Sequence, residues 1–104
     1  WDGRAPADLP GGGRIALLGA DGFDHPLRLH ARQGGERIRL PGRRHSHALK
    51  HVLQEQAMPP WRRERMPLLS SADGVLAAGD AILSAGMAAL LAARGARLQW
   101  TTLA

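Results

Sequence analysis

The sequence predicts an α+β domain, and three observations lead to this class. The chain has 104 residues, the length of one domain, and its 44% hydrophobic and 22% charged residues are close to the average of folded proteins. Several short runs alternate apolar and polar residues and end at turns rich in Gly, Pro or Asp, which indicates strands. Two stretches, residues 46–56 and 87–93, have the apolar spacing or the Ala- and Leu-rich composition of helices.

The first strand is predicted at Arg14–Leu18, after residues 1–12, which are rich in Gly, Pro and Asp and are expected to be an incoming linker. A basic hairpin is predicted over residues 25–40, because arginine and histidine occupy one face of each alternating run and Gly34-Gly35 suits a tight turn. The cross-strand pairs of this register are Arg32 with Arg37, Ala31 with Ile38, His30 with Arg39 and Leu29 with Leu40.

A helix is predicted from Ser46, the expected N-cap, to about Gln56. The stripe expected to face the core consists of Leu49, Val52, Leu53 and Ala57. Pro59-Pro60 ends this helix and begins a shorter one that runs to Arg65, beside which Trp61 is expected to pack. The later elements are a hairpin of residues 67–71 and 75–78 around Asp73-Gly74, a helix at 87–93 that closes at Gly95, and a strand at 97–101.

The composition excludes several classes of protein. The chain has no cysteine, which rules out disulfide scaffolds, cysteine nucleophiles and thiolate metal sites and fits a cytoplasmic location. No stretch approaches the roughly 20 apolar residues of a membrane span, and no signal peptide opens the chain, so no membrane partner is expected. Because the chain begins with Trp1 instead of methionine, we expect it to be part of a longer protein.

Positive charge is concentrated in the middle third of the chain. Residues 28–65 hold nine arginines and one lysine against three glutamates, a net charge of +7, whereas the whole chain carries +5. Such a block is often a solvated face, and carboxylates elsewhere or apolar surface under the arginine stems would also explain it. The alternative is a surface for phosphates, which the planar guanidinium group suits. The candidate phosphate-facing residues are Arg37, Arg39, Arg43, Arg44, Lys50, Arg62, Arg63 and Arg65.

Other constellations carry less chemistry. His47 and His51 lie four residues apart on the predicted helix near His45, but no third metal ligand is well placed, so no metal site is expected. The serines lack the context of a nucleophile, and Trp61 is an alternative candidate for stacking on a base. One of the arginines at 62–65 could instead pair internally with Glu64 or Glu55.

Two ordered motifs give the chain a family resemblance. The first is Arg32-Gln33-Gly34-Gly35-Glu36-Arg37-Ile38-Arg39, followed by Pro41-Gly42-Arg43 and by Leu49-Lys50. The second is Pro59-Pro60-Trp61-Arg62-Arg63-Glu64-Arg65-Met66-Pro67-Leu68-Leu69. In this order and spacing they resemble the C-terminal domain of tRNA(Ile)-lysidine synthetase from Leu27 to Gly79 and, more loosely, to Trp100. The Ala-rich residues 84–94 depart from the family pattern.

The resemblance implies a small β-sandwich with helices, similar to a module of bacterial phenylalanyl-tRNA synthetase. It also implies a tRNA-binding domain over residues 25–104, preceded by the linker and first strand in residues 1–24. Enzymes of the family use ATP with magnesium to join lysine to the wobble cytidine, in a separate N-terminal domain whose Ser-Gly-Gly-x-Asp-Ser loop this sequence lacks. The chain itself is therefore expected to hold no catalytic residue and no cofactor.

The resemblance also implies the partners. They are isoleucine tRNA, bound at its acceptor-stem region, the N-terminal catalytic domain of the same chain and, as an open alternative, a second copy of the chain. A second hypothesis, of a different class, is a structural domain that docks on its own enzyme or on a protein partner through the same arginines without contacting RNA. Steep weakening of binding as salt rises would distinguish the first hypothesis from the second.

Overall fold

The structure is a computed structural model that describes residues 1–10 and 12–102. The described residues form short strands and three helices, which confirms the predicted α+β class. The strands are β1 (Ala7–Asp8), β2 (Arg14–Leu18), β3 (Arg28–Ala31), β4 (Arg37–Ile38), β5 (His47–Ala48), β6 (Pro67–Ser71), β7 (Gly74–Ala78), β8 (Ile82–Leu83) and β9 (Arg97–Thr101). The helices are α1 (Leu49–Glu55), α2 (Pro60–Arg65) and α3 (Ala85–Arg94).

The strands pair in three antiparallel sheets. One sheet has the order β1-β2-β9, the second has the order β3-β6-β7-β8, and β4 and β5 form a small ribbon. The predicted strand at Arg14–Leu18, the hairpin of β6 and β7 and the strand at Arg97–Thr101 are all present. The predicted helix at 87–93 is also present and is longer, because the Ser84 hydroxyl caps it by accepting a hydrogen bond from the Met87 N–H at 3.1 Å.

The second sheet separates two hydrophobic clusters. Successive side chains of a strand point to opposite faces, so Leu68 of β6 packs in one cluster and Leu69 in the other. Ala78 and Ala77 of β7 divide in the same way. The members of the first cluster are Ile38, Leu49, Val52, Leu53, Met66, Leu68, Val75, Ala78, Ile82 and Trp100. The members of the second are Ile15, Leu17, Phe23, Leu69, Ala77, Met87, Leu91 and Leu98.

The predicted basic hairpin is wrong. Strand β3 pairs with β6, so that Leu29 faces Leu69 of β6, which is fully buried. Strand β4 pairs with β5, and Arg37 lies opposite Ala48 instead of Arg32. The physical reason is that Leu29 packs with Leu69 in the second cluster whereas Leu40 packs against the first, so the two cannot face each other across a hairpin. The turn at Gly34-Gly35 exists, with φ of +96° and +79°, but it leads the chain out of the sheet.

Helix α1 has the predicted core-facing residues but a different start. Ser46 does not cap it: the helix begins at Leu49, whose N–H donates to the Glu36 carbonyl at 2.9 Å. A carbonyl before the neighbouring strand β4 thus satisfies one of the N–H groups at the helix start that have no acceptor within the helix. Leu49, Val52 and Leu53 are buried, whereas Ala57 is exposed. Ala57 lies beyond the end of the helix with φ of +53°, the left-handed conformation that ends many helices.

The first 24 residues pack on the rest of the domain. Residues 1–12, expected to be a linker, contain β1, which pairs with β2. The Trp1 ring packs edge-on against the Phe23 ring, with 5.8 Å between the ring centres. The N-terminal amino group of Trp1 donates a hydrogen bond to the Leu27 carbonyl at 2.6 Å. The division of the chain after residue 24 stays a prediction.

Candidate nucleic-acid interface

A groove of about 710 Å³ lies between β3, β4, the turn before β7 and the start of α3. We call it the basic groove, because three arginines line it. Its charged and polar lining residues are Arg28, His30, Gln33, Glu36, Arg37, Arg39, Ser46, Ser70, Asp73 and Ser84. Four strands and a helix therefore contribute to one concave surface whose lining includes four basic residues and three serines.

Strand alternation directs the basic side chains into this groove. On β3, Leu29 packs against the second cluster, so Arg28 and His30 lie on the opposite face. On β4, Ile38 is buried in the first cluster, so Arg37 and the following Arg39 point the other way. The alternation read from the sequence is therefore right on both strands, although their pairing partners differ from the prediction.

Arg37 holds a neighbouring segment in place and also keeps N–H donors for a ligand. Its Nε donates to the Ser46 hydroxyl at 2.9 Å, and its Nη2 donates to the Ser46 carbonyl at 2.8 Å. These bonds hold the segment before β5 against β4. A guanidinium group has five N–H donors, so the exposed side chain of Arg37 keeps donors for a ligand in the basic groove.

His30 is held in a defined tautomer. Its Nδ1 lies 2.9 Å from the Ala31 carbonyl, which can only accept, so the hydrogen of the neutral ring is on Nδ1. Its Nε2 lies 2.7 Å from the Ser70 hydroxyl, which donates to it. A backbone carbonyl thus stands where a catalytic triad has a carboxylate. His30 and Ser70 together form a fixed, polar wall of the basic groove.

The basic residues of the middle third are not neutralised internally. Ion pairs within the described residues join Arg4 to Asp2, Arg14 to Asp8 and Arg94 to Asp24. In the same part of the chain, no basic residue between 28 and 65 has a carboxylate within 4.0 Å. The expected alternative of an internal pair with Glu55 or Glu64 is therefore absent there. The surplus charge remains available to an anionic ligand.

Glu36 is one of two acidic residues at the basic groove, and the fold uses its carboxylate. It accepts the N–H groups of Gln33 at 2.8 Å and of Gly34 at 3.0 Å, which shapes the turn after β3. Burial alone would raise the pKa of Glu36, but these donors, its own N–H and the charge of Arg32 hold that pKa below its ordinary value. Glu36 is therefore a turn residue whose negative charge is already satisfied.

The eight predicted phosphate-facing residues do not form one cluster. Only Arg37 and Arg39 line the basic groove, whereas Arg65 lines a smaller groove of about 280 Å³ beside Leu29 and Met66. The others lie on the loop after β4, on α1 and on α2, where Arg43, Arg44 and Lys50 are exposed and Arg62 and Arg63 are half-buried. Their binding roles stay predictions. The candidate set also omitted Arg28 and His30, although the same alternation had placed both on a polar face.

Two further expectations can be compared with the structure. Trp61, expected to pack, does not do so: this residue of α2 is 71% exposed. His47 lies on β5 and not on α1, so His47 and His51 do not share a helix face.

Among residues 1–10 and 12–102, no group of three or more His, Cys, Asp or Glu side chains is arranged to hold a metal ion. None of the helices in this part of the chain is long and apolar enough to cross a membrane.

Comparison with known proteins gives a consistent result. The chain is 57% identical over 106 residues to a tRNA(Ile)-lysidine synthase of Xanthomonas axonopodis pv. citri, covering 100% of this chain and 24% of that protein. It is 51% identical to a tRNA(Ile)-lysidine synthase of Xylella fastidiosa, covering 96% of this chain and 24% of that protein. The chain therefore spans about a quarter of the length of these curated relatives.

A solved structure has the same fold. It is described as the crystal structure of the TILS C-terminal domain, and it superposes with a TM-score of 0.69 at 25% identity, covering 97% of this chain and 92% of that one. The likeness to a phenylalanyl-tRNA synthetase module stays a prediction. The family model of the TilS substrate C-terminal domain matches residues 27–100, which include both motifs quoted above. The resemblance is thus confirmed, and the chain belongs to the TilS substrate C-terminal domain family.

Proposed function

We propose that this chain is the tRNA-binding domain of a tRNA(Ile)-lysidine synthase and that the basic groove receives phosphates of the tRNA acceptor stem. One observation carries the proposal: Arg28, Arg37 and Arg39 converge on the basic groove, and none has a carboxylate within 4.0 Å among the described residues. Of the described residues, Glu36 and Asp73 also line the groove but form no ion pair with these arginines, so the three guanidinium groups repel each other and a polyanion removes that repulsion.

The chemistry of the lining fits an RNA backbone. Arginine forks bind phosphate through paired N–H donors, and hydroxyl groups contribute further contacts to phosphate and ribose oxygens. Ser46, whose hydroxyl accepts from Arg37, keeps its hydrogen for a phosphate oxygen. Ser70, whose hydroxyl donates to His30, can accept from a ribose hydroxyl. Contacts of this kind position a nucleic acid without reading its sequence, which is the task of a domain that orients a substrate for a remote active site.

In this proposal the chemical step belongs to the rest of the protein. ATP, magnesium and the transfer of lysine to the wobble cytidine are assigned to the N-terminal catalytic domain, because the phosphate-cradling motif of the family is not in this sequence. The partners are then isoleucine tRNA and that catalytic domain, and the setting is the cytoplasm. The domain contributes binding energy and orientation to the reaction.

The test compares three RNA ligands for the purified chain: whole isoleucine tRNA, a hairpin with its acceptor-stem sequence and a hairpin with its anticodon stem. We expect the first two to bind, with affinities that fall steeply as salt rises, and the anticodon hairpin to bind no more tightly than the acceptor-stem hairpin. Binding that ignores salt, or that favours the anticodon hairpin, would contradict the proposal. Failure of all three RNAs together with binding of the catalytic domain would favour the docking hypothesis.

A further inference from the structure

Helix α2 presents a tryptophan that the fold does not use. Trp61 is 71% exposed, and no residue of α2 is buried. The other two tryptophans both have structural partners: Trp1 packs against Phe23, and Trp100 is only 6% exposed in the first cluster. An indole with this exposure contributes little to packing within the domain, and both its apolar ring and its N–H are accessible to a ligand.

The position of Trp61 is well defined although its side chain is exposed. Pro60 occupies the first turn of α2, and the Pro59 carbonyl accepts the N–H groups that open the helix. The Arg62 guanidinium lies 4.6 Å from the centre of the Trp100 ring, a cation–π contact that ties α2 to the core. Because consecutive helical residues are about 100° apart around the axis, Trp61 points to a different side of α2 from this anchor. A helix held in place in this way presents its tryptophan to a ligand without first having to be ordered.

The face of α2 that carries Trp61 also carries Arg65, which lies four residues further along the helix. Arg65 has no carboxylate within 4.0 Å among the described residues. Glu64, three residues after Trp61, flanks the same face, whereas Arg63 lies on the opposite side of the helix. A flat aromatic ring beside an unpaired arginine matches a nucleic acid strand, in which a base offers its face and an adjoining phosphate offers negative charge. A protein partner would have to supply an acidic group beside an apolar pocket instead.

We propose that Trp61 stacks on an unpaired base of the bound RNA while Arg65 contacts a phosphate beside that base. The inference rests on the proposed function, since it assumes that RNA is the ligand. A base inside a duplex has both faces covered by its neighbours, so the ligand of Trp61 is a nucleotide in a single-stranded extension or a loop. The domain thus has two kinds of contact: phosphates of a duplex at the basic groove and an unpaired base at α2.

The experiment uses the full 104-residue chain and two RNA hairpins of identical duplex sequence, one blunt and one with a single-stranded 3′ extension. Loss of a base–aromatic stack weakens affinity by about 5- to 150-fold. We expect Trp61→Ala to weaken binding of the extended hairpin by this factor and to leave the blunt hairpin unchanged. Trp61→Phe keeps an aromatic face and should restore most of the affinity, whereas Trp61→Leu keeps apolar area only and should not.

A second readout separates stacking from charge. Stacking releases no counterions, so Trp61→Ala should shift the plot of log K against log salt without changing its slope. Thermal melting checks that each variant is folded, and an exposed residue leaves that temperature unchanged. Equal affinity of Trp61→Leu and the parent chain, equal losses for both hairpins, or unchanged RNA binding with weaker binding of the catalytic domain would each overturn the inference. Salt-dependent binding of the blunt hairpin shows, independently of these outcomes, whether the proposed function holds.

Discussion

The double substitution of Arg28 and Arg39 by alanine tests the basic groove most directly. Both side chains line the groove, and within the described residues neither forms a side-chain hydrogen bond or an ion pair. We exclude Arg37 because it donates two hydrogen bonds to Ser46, and each bond contributes roughly 0.5–1.5 kcal/mol to stability. The double variant should therefore change binding without unfolding the domain.

The expected magnitude follows from counterion release. Each arginine–phosphate contact contributes about one unit to the slope of log K against log salt, so two lost contacts flatten it by up to about two units. Raising the salt from 50 to 200 mM weakens binding by roughly 3.5-fold for each phosphate contact, so two contacts account for a loss of about 12-fold. The parent chain should therefore lose about 12-fold more affinity than the variant over this range, measured by fluorescence anisotropy with labelled tRNA.

The matched control is Arg97→Ala, which removes one exposed charge from β9 outside the basic groove. We expect this control to keep nearly the parent slope, while Arg39→Ala alone flattens it by up to about one unit. If tRNA binds and the double variant has the slope of the parent chain, the basic groove is not where phosphates bind. Unchanged tRNA affinity with weaker association to the catalytic domain would support docking.

Three other predictions concern the fold. Leu53→Ala, which empties a fully buried site on α1, should lower the free energy of unfolding by about 2–5 kcal/mol in urea titrations, whereas the exposed Gln54→Ala should change it little. Gly79→Ala should destabilise the domain by at least about 1–2 kcal/mol, because its φ is +57° and a Cβ would lie 2.7 Å from Cε3 of Trp100; an unchanged melting temperature would contradict this packing. Since the pKa of Glu36 is lowered by folding, its carboxylate stabilises the domain above the unfolded pKa of about 4.3, and this contribution is lost as the pH falls through the lower folded value. Glu36→Gln should therefore flatten the acid limb of stability against pH, and an unaltered acid limb would show that the turn does not depend on the charge.

Residue alternation was predictable and strand pairing was not. The two-residue period depends only on the geometry of an extended chain, so the faces of Arg28 and Ile38 follow from their immediate neighbours. The partner of a strand depends on apolar surface elsewhere in the chain. Leu29 finds Leu69 across a long sequence separation, which outweighs the local turn signal. Register is a property of the assembled core and cannot be read from one segment.

The sequence favours packing of Trp61 and leaves stacking on a base as the alternative, for a related reason. The neighbouring residues do not determine which face of the helix lies outward. The orientation is set by Arg62, whose guanidinium stacks on Trp100 of the last strand. A contact between the middle and the end of the chain thus decides which side of a six-residue helix meets solvent.

The division of the core by one sheet governs how the domain unfolds. Leu68 and Leu69 are neighbours on β6, yet each belongs to a different cluster, and Ala77 and Ala78 repeat this arrangement on β7. Neither cluster can come apart without exposing the strand that supports the other. Melting should therefore be a single cooperative transition, with the same midpoint for a probe on α1 and a probe on α3. The strands that line the basic groove and the strands β2 and β9 then share one stability, so a destabilising change on either side reaches both.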